Sequence, residues 1–156
     1  MMNNVENIIN SGYTGGITIT GGGTGAISKL LENGGGSKFL EYAYIPYSEK
    51  SIRASHFIQE SFKYVSPEIV EAFAKDSLNF ADIGVAASCK LHYEGEREGR
   101  SHEGYVACTK ESDDKYITRI YKFKSKYYYR QIQEDEFSDF ILEKMSEFID
   151  ELKELE

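Results

Sequence analysis

A chain of 156 residues suits one domain, which buries roughly two-thirds of its unfolded surface without disulfide or metal staples. With 40% hydrophobic and 28% charged residues the composition excludes wholesale disorder, and the apolar runs are too short for a membrane span. The net charge of −8 sits entirely on residues 134–156, which hold ten acids and two lysines, whereas residues 1–133 hold sixteen of each sign; such a surface repels phosphate backbones over about 8 Å at physiological salt, which argues against a nucleic-acid partner.

The opening MMNNVENIINSG lacks a basic patch and an apolar core of signal-peptide length, so a cytoplasmic protein is expected. Two cysteines, Cys89 and Cys108, are too few for a disulfide framework. In chain order, the spacing predicts a short helix over Val5 to Asn10 and, after Gly15-Gly16, a β-branched strand over Ile17 to Thr20. The loop Thr20-Gly21-Gly22-Gly23-Thr24-Gly25 leads into a helix over Ala26 to Leu31. Gly34-Gly35-Gly36 ends that helix, and the apolar, aromatic run Phe39 to Tyr47 reads as a buried strand. Ser48 to Ser51 look like a helix cap and first turn.

Ser66-Pro67 opens a further helix, with Ile69, Phe73 and Phe80 on one stripe and Val70, Ala74 and Leu78 beside it. Ile83 to Ala87 is a small-residue strand, expected at the sheet centre under a closely packed helix. Residues 90–103 are polar and glycine-punctuated, a loop of the length usually kept for binding or disorder. Two strands follow, Tyr105 to Thr109 and Tyr116 to Phe123, joined by a turn over Glu111 to Asp114. From Glu134 onward, Phe137, Ile141, Met145, Phe148, Leu152 and Leu155 form the stripe of an amphipathic helix with an acidic, solvated face. The alternation predicts a single α/β domain over 1–156, a three-layer α/β/α sandwich with a mainly parallel sheet and an antiparallel final pair.

The strongest candidate site is the glycine loop. Between strand and helix, Thr20, Gly21, Gly22, Gly23, Thr24 and Gly25 let backbone N–H groups turn toward one point, suited to a phosphate, a carboxylate or a developing oxyanion. Open α/β sheets bind ligands at that edge. Gly21, Gly23 and Ala26 also fit G-x-G-x-x-A, but the acid that should follow the next strand to hold a ribose is displaced, with Tyr47-Ser48 at that place. A tight turn with no ligand is the plain alternative.

Taken together, ITITGGGTG, GGGSKFLEYAYIPYS, YVSPEIVEAFAKDSLNFADIGVAAS and GYVACT resemble, in order and spacing, the C-terminal domain of CinA proteins, the nicotinamide-nucleotide amidase (NMN deamidase) family. The resemblance implies that family's α/β fold, a small anionic ligand of the pyridine mononucleotide class, no added cofactor, and a homo-oligomer. In the amidase branch the loop reads A-E-S-C-T-G-G with a serine nucleophile, aided by the lysine of Y-S-N-E-A-K. The resemblance carries the loop threonine and glycine onto Thr24 and Gly25 and the tyrosine-serine pair onto Tyr47 and Ser48. It puts Gly22 at the nucleophile and Ile52 at the lysine, so serine-lysine amide hydrolysis is expected to be absent. The family's T-G-I-A-G-P loop is replaced by Ser88-Cys89-Lys90-Leu91, with Ser88 where a ligand-contacting threonine is expected. This is the pattern of a divergent T-G-G-G-(S/T)-G branch, a pseudoenzyme that keeps the loop, the Y-S pair and a histidine, here His102.

Three residues are candidates for a rebuilt catalytic site: Lys50, one helical turn from Tyr47; Cys89, a nucleophile if a base reaches it; and His102, a general acid or base. Their plain readings are a solvated lysine, core packing and a loop histidine. No metal site is expected, because His56 and His92 have no partners at ligand spacing. Lys122, Lys124, Lys126 and Arg130, around Tyr127-Tyr128-Tyr129, read as a solvent face and a core-edge or subunit-contact cluster. Three functions stay open: a nucleotide-binding protein without amidase activity, a hydrolase with a rebuilt site, and a regulatory or assembly protein with structural glycine loops.

Overall fold

The structure, a computed structural model, describes residues 3–56 and 63–156; of Ser55 and His56 it describes the backbone alone. The elements run α1 (Asn4–Ile9), β1 (Gly15–Thr20), α2 (Gly25–Leu31), a 3-10 turn (Gly36–Lys38), β2 (Leu40–Tyr44), α3 (Glu49–His56), α4 (Pro67–Asp76), β3 (Ile83–Cys89), β4 (Glu103–Ser112), β5 (Lys115–Lys124) and α5 (Arg130–Leu155). They build one five-stranded sheet in the order β2-β1-β3-β4-β5. β1 is parallel to β2 and β3, while β4 and β5 add antiparallel neighbours.

Alternation along the strands sorts side chains to two faces. Ile17, Ile19, Val85, Ala87, Val106 and Cys108 join the larger core with α1, α2 and α5. Ala86 and Ala107 face a smaller core of Ile52, Ile69, Val70, Phe73 and Ala74 from α3 and α4. The three-layer α/β/α expectation holds, with the sheet half parallel and half antiparallel. β1 and β3 are buried throughout, which makes them central, and Thr20 pairs with Ser88, so their carboxyl ends are flush. The β1–α2 loop and the chain after β3 therefore emerge side by side.

Several local readings shift. β2 is shorter than the Phe39–Tyr47 run and only half buried, because it is the outermost strand on its side and has one neighbour. α4 starts where the Ser66 hydroxyl accepts from the Ile69 N–H, but it ends at Asp76, so Phe80 leaves the stripe and is 79% exposed. The last two strands lengthen until they meet at a two-residue turn, Asp113-Asp114, both at positive φ, the backbone a tight right-twisted hairpin demands. α5 begins at Arg130, a full turn before the predicted start. Leu155 is exposed rather than on the core stripe.

The small residues of β3 allow α4 to lie directly on the sheet. A β-carbon at Gly84 would sit 1.9 Å from the Ala74 carbonyl oxygen, a contact no rotamer change relieves. Gly84→Ala is therefore expected to destabilise the domain by about 1–3 kcal/mol or more through overpacking. Urea unfolding checks this, and an unchanged midpoint would contradict the close approach.

Candidate functional site

The glycine loop turns as the sequence requires. Gly21 and Gly23 adopt φ of +86° and +102°, conformations that favour glycine. A β-carbon at Gly21 would also meet the Cys89 carbonyl oxygen at 2.3 Å. The loop amides do converge, and the group they meet belongs to the protein itself. Gly23 N donates to Glu134 Oε2 at 2.6 Å, Gly25 N to Oε1 at 3.3 Å, and Thr24 Oγ1 to Oε1 at 3.4 Å. A carboxylate from α5 thus occupies the anion position that the sequence reading reserved for a ligand.

Beside it lies an open cavity of about 590 Å³, lined among others by Ile19, Gly21, Gly22, Ile45, Tyr47 and Arg130, with the carboxylates of Glu134 and Asp135 on its wall. The Arg130 guanidinium donates to two carbonyl oxygens, of His92 at 3.3 Å and Gly21 at 3.4 Å. Among the described residues no carboxylate lies within ion-pair distance of it. A smaller cavity of about 310 Å³ shares Gly21 and Tyr47 with the first and adds Thr20, Glu49, Tyr64, Ser88 and Cys89.

The sequence-derived residues divide accordingly. Thr20, Gly21, Gly22, Thr24, Tyr47 and Ser88 do gather at one sheet edge. Gly23 and Gly25 line neither cavity. Their amides are engaged with Glu134, a β-carbon on Gly23 would strike Ile141 and Phe137, and one on Gly25 would strike Ser138. Ser48 is a helix cap, its hydroxyl accepting from Ser51 N. Ser88 is buried and donates to the Tyr64 carbonyl at 2.5 Å, so its hydroxyl is committed to the protein. Lys50 is exposed on α3 and lines neither cavity. Ile52, where the resemblance puts the lysine, is fully buried in the smaller core. Cys89 is 5% exposed, and desolvation, with the Glu134 charge adding to it, pushes its thiol far up, so it carries no thiolate at neutral pH.

His102 belongs elsewhere. Its Nε2 lies 2.8 Å from Glu96 Oε1, which also meets His92 Nδ1 at 2.7 Å, and Arg100 Nη1 donates to Glu96 Oε2 at 2.8 Å. The reading that His92 has no partners is thereby corrected: His92, Glu96 and His102 bring three metal-type donor atoms within 4.8 Å of one another. The side chain of His56 lies outside the described residues.

Gln133 decides what the trio does. Its Oε1 accepts from His92 N at 2.6 Å and its Nε2 donates to the Tyr127 carbonyl at 2.7 Å, so its NH₂ faces His102 Nδ1 at 3.1 Å. His102 Nδ1 is then an acceptor, and the ring proton sits on Nε2, donating to Glu96. A metal on Nε2 would leave Nδ1–H against that NH₂, the opposite of the carbonyl or carboxylate that supports a ligating histidine. The polarity suits a proton-bonded clasp that orders residues 90–102. With both ring nitrogens engaged and the side chain 8% exposed, His102 is not the free acid or base the sequence reading considered.

The functional residues the sequence reading missed are Glu96 and the first turns of α5. One signal was present: Gln133 and Glu134 lie four and three residues before Phe137, on the side of the apolar stripe, where a polar residue needs a buried partner. Glu134 was instead grouped with the solvated acidic face.

Desolvation, the largest single influence on Glu96, pushes its carboxyl up, but hydrogen bonds from His92, His102 and Arg100 together outweigh it and hold it at about 2, below the ordinary 4.5. A folded-state value below the unfolded one gives stability that is present above pH 4.5 and lost as pH falls toward 2. Limited proteolysis should therefore find residues 90–102 protected at pH 5 and progressively cut by an acid protease below pH 4. Glu96→Gln should show the acid pattern already at pH 5; equal protection of both proteins would remove the clasp.

The fold has close counterparts among solved structures. It matches a competence-damaged protein (CinA) superfamily protein of Klebsiella pneumoniae at 16% identity and a TM-score of 0.76, over 96% of this chain and 99% of that one. It matches the competence/damage inducible protein CihA of Agrobacterium tumefaciens at 14% identity and a TM-score of 0.75, over 93% and 95%. A CinA superfamily protein of Escherichia coli superposes at 14% identity and a TM-score of 0.70, over 90% and 83%. No family model matches the sequence, and no curated protein matches it. Identities this low speak to architecture alone, and on that ground the chain has the fold of the CinA superfamily proteins.

Proposed function

We propose that this chain binds a small zwitterionic ligand of the pyridine mononucleotide class in the cavity beside the glycine loop, and that it does so without serine-lysine amide hydrolysis. The observation that carries the reading is Arg130, a guanidinium on the cavity wall that meets only carbonyl oxygens among the described residues. Carbonyls leave its charge uncompensated, so a ligand phosphate would gain charge-assisted hydrogen bonds there. Ile45 and Tyr47, 55% and 68% exposed, offer an apolar wall for a ring, and Glu134 and Asp135 suit ribose hydroxyls or a cationic pyridinium. The volume of about 590 Å³ falls in the range usual for ligand sites, about 300–1,000 Å³.

Hydrolysis lacks its parts. Gly22 has no side chain, and Ile52 is packed in the core. Restoring the serine requires side-chain ends to shift, since a β-carbon at Gly22 would lie 2.8 Å from Leu91 Cδ1, 2.9 Å from Cys89 Sγ and 2.9 Å from Glu134 Oε2. The assembly reading has one supporting observation, the exposure of Tyr128 and Tyr129 at 76% and 72% beside the start of α5. Absence of a membrane-spanning helix holds for the described residues.

Nicotinamide mononucleotide at 100 times its dissociation constant should stabilise the protein by about 2.7 kcal/mol, raising Tm by about 5 °C or more. Arg130→Ala should abolish most of that shift, and no ammonia should be released. Ammonia release would establish a rebuilt hydrolase, and the absence of any shift across a nucleotide panel would favour the assembly reading.

A further inference from the structure

The Glu134 carboxylate sits where the glycine loop would otherwise receive a ligand anion. It takes the N–H groups of Gly23 and Gly25 and the Thr24 hydroxyl, and its Oε2 stands 2.9 Å from where a side chain on Gly22 would begin. A loop whose donors were required only for a turn would leave them to water or backbone carbonyls. Here they are satisfied by one charged group from an element more than a hundred residues away. A second observation marks the same spot. The Ser138 hydroxyl, fully buried on α5, has no hydrogen-bond partner among the described residues and lies 2.7 Å from where a Gly25 β-carbon would be, so the loop is backed by an unspent polar group.

We propose that Glu134 is a built-in anion of the glycine loop, which keeps external phosphate and carboxylate groups off the loop amides. Two negative charges about 4 Å apart repel by roughly a thousandfold in binding constant at an effective dielectric of about 20, and solvent in the open cavity reduces this to on the order of tenfold or more. The loop then meets whatever enters the cavity with its hydrogen bonds already satisfied and a negative charge on its face. A neutral or cationic group is admitted beside the loop, while an anionic one is turned away from the loop amides and left to the Arg130 guanidinium. This rests on the cavity reading above for where a ligand would enter, but its test uses inorganic anions and is independent of any nucleotide.

The experiment titrates inorganic phosphate, and separately acetate, into the ¹⁵N-labelled full chain and follows the Gly23 and Gly25 amide resonances. In the wild-type protein these resonances should show no saturable movement at millimolar anion. In Glu134→Ala they should move and saturate, with an affinity at least about tenfold above any wild-type value. Glu134→Gln keeps the side-chain volume and one acceptor oxygen without the charge. It should bind the anion several-fold more tightly than wild type, and it carries the test if the alanine variant does not fold. Saturable binding in the wild type equal to that in the variants would overturn the proposal. So would silence in all three folded proteins, because something other than Glu134 would then be excluding anions. Failure of nicotinamide mononucleotide to bind would sink the functional reading and leave this comparison standing.

Discussion

The first two turns of α5 are clamped onto the two loops at the carboxyl edge of the sheet, and the site takes its form from that clamp. Arg130 reaches the carbonyls of Gly21 and His92, Gln133 reaches His92 N, Tyr127 O and the His102 ring, and Glu134 reaches the amides of Gly23 and Gly25. One helix end thereby closes the β1–α2 loop and orders residues 90–102. Polar groups such as buried Gln133 and half-buried Glu134 are costly when unpaired, so these two side chains and the two loops hold each other in a single arrangement, with exposed Arg130 adding its bonds at the rim.

That arrangement changes the meaning of the glycine loop. Glycines at positive φ and converging N–H groups are ordinarily read as an invitation to phosphate. In this chain the invitation is answered internally, by the Glu134 carboxylate lying against Gly22. Gly22 offers no side chain, Ile52 is packed in the smaller core, and the Glu134 carboxylate takes the Gly23 amide. What stays open is the cavity beside the loop, which Arg130, Glu134 and Asp135 line from the first turns of α5.

The clasp of His92, Glu96 and His102 shows how hydrogen-bond polarity separates two sites that residue types alone would not. Two imidazoles and a carboxylate are a common metal set, yet Gln133, fixed by two backbone groups, offers its NH₂ to His102 and thereby sets the ring tautomer. The trio acts as a strap on a long polar loop.

Order and type of the elements were legible in the sequence because their signals are local. Ser66-Pro67 capped α4, small residues put β3 under a helix, and the glycines of 20–25 announced a strand-to-helix turn, each within a few residues of the feature it dictates. The gathering of Thr20, Gly21, Tyr47 and Ser88 at one edge followed from topology, since parallel strands joined by crossovers bring their carboxyl-end loops together. Partnership was what only the tertiary structure decided. Glu134 meets a loop more than a hundred residues away, Ser88 spends its hydroxyl on Tyr64, and His102 turns to Glu96. Periodicity told how α5 would bury its stripe, but a helix one turn longer, and a carboxylate aimed at someone else's amides, are settled by packing in three dimensions, which no window of neighbouring residues contains.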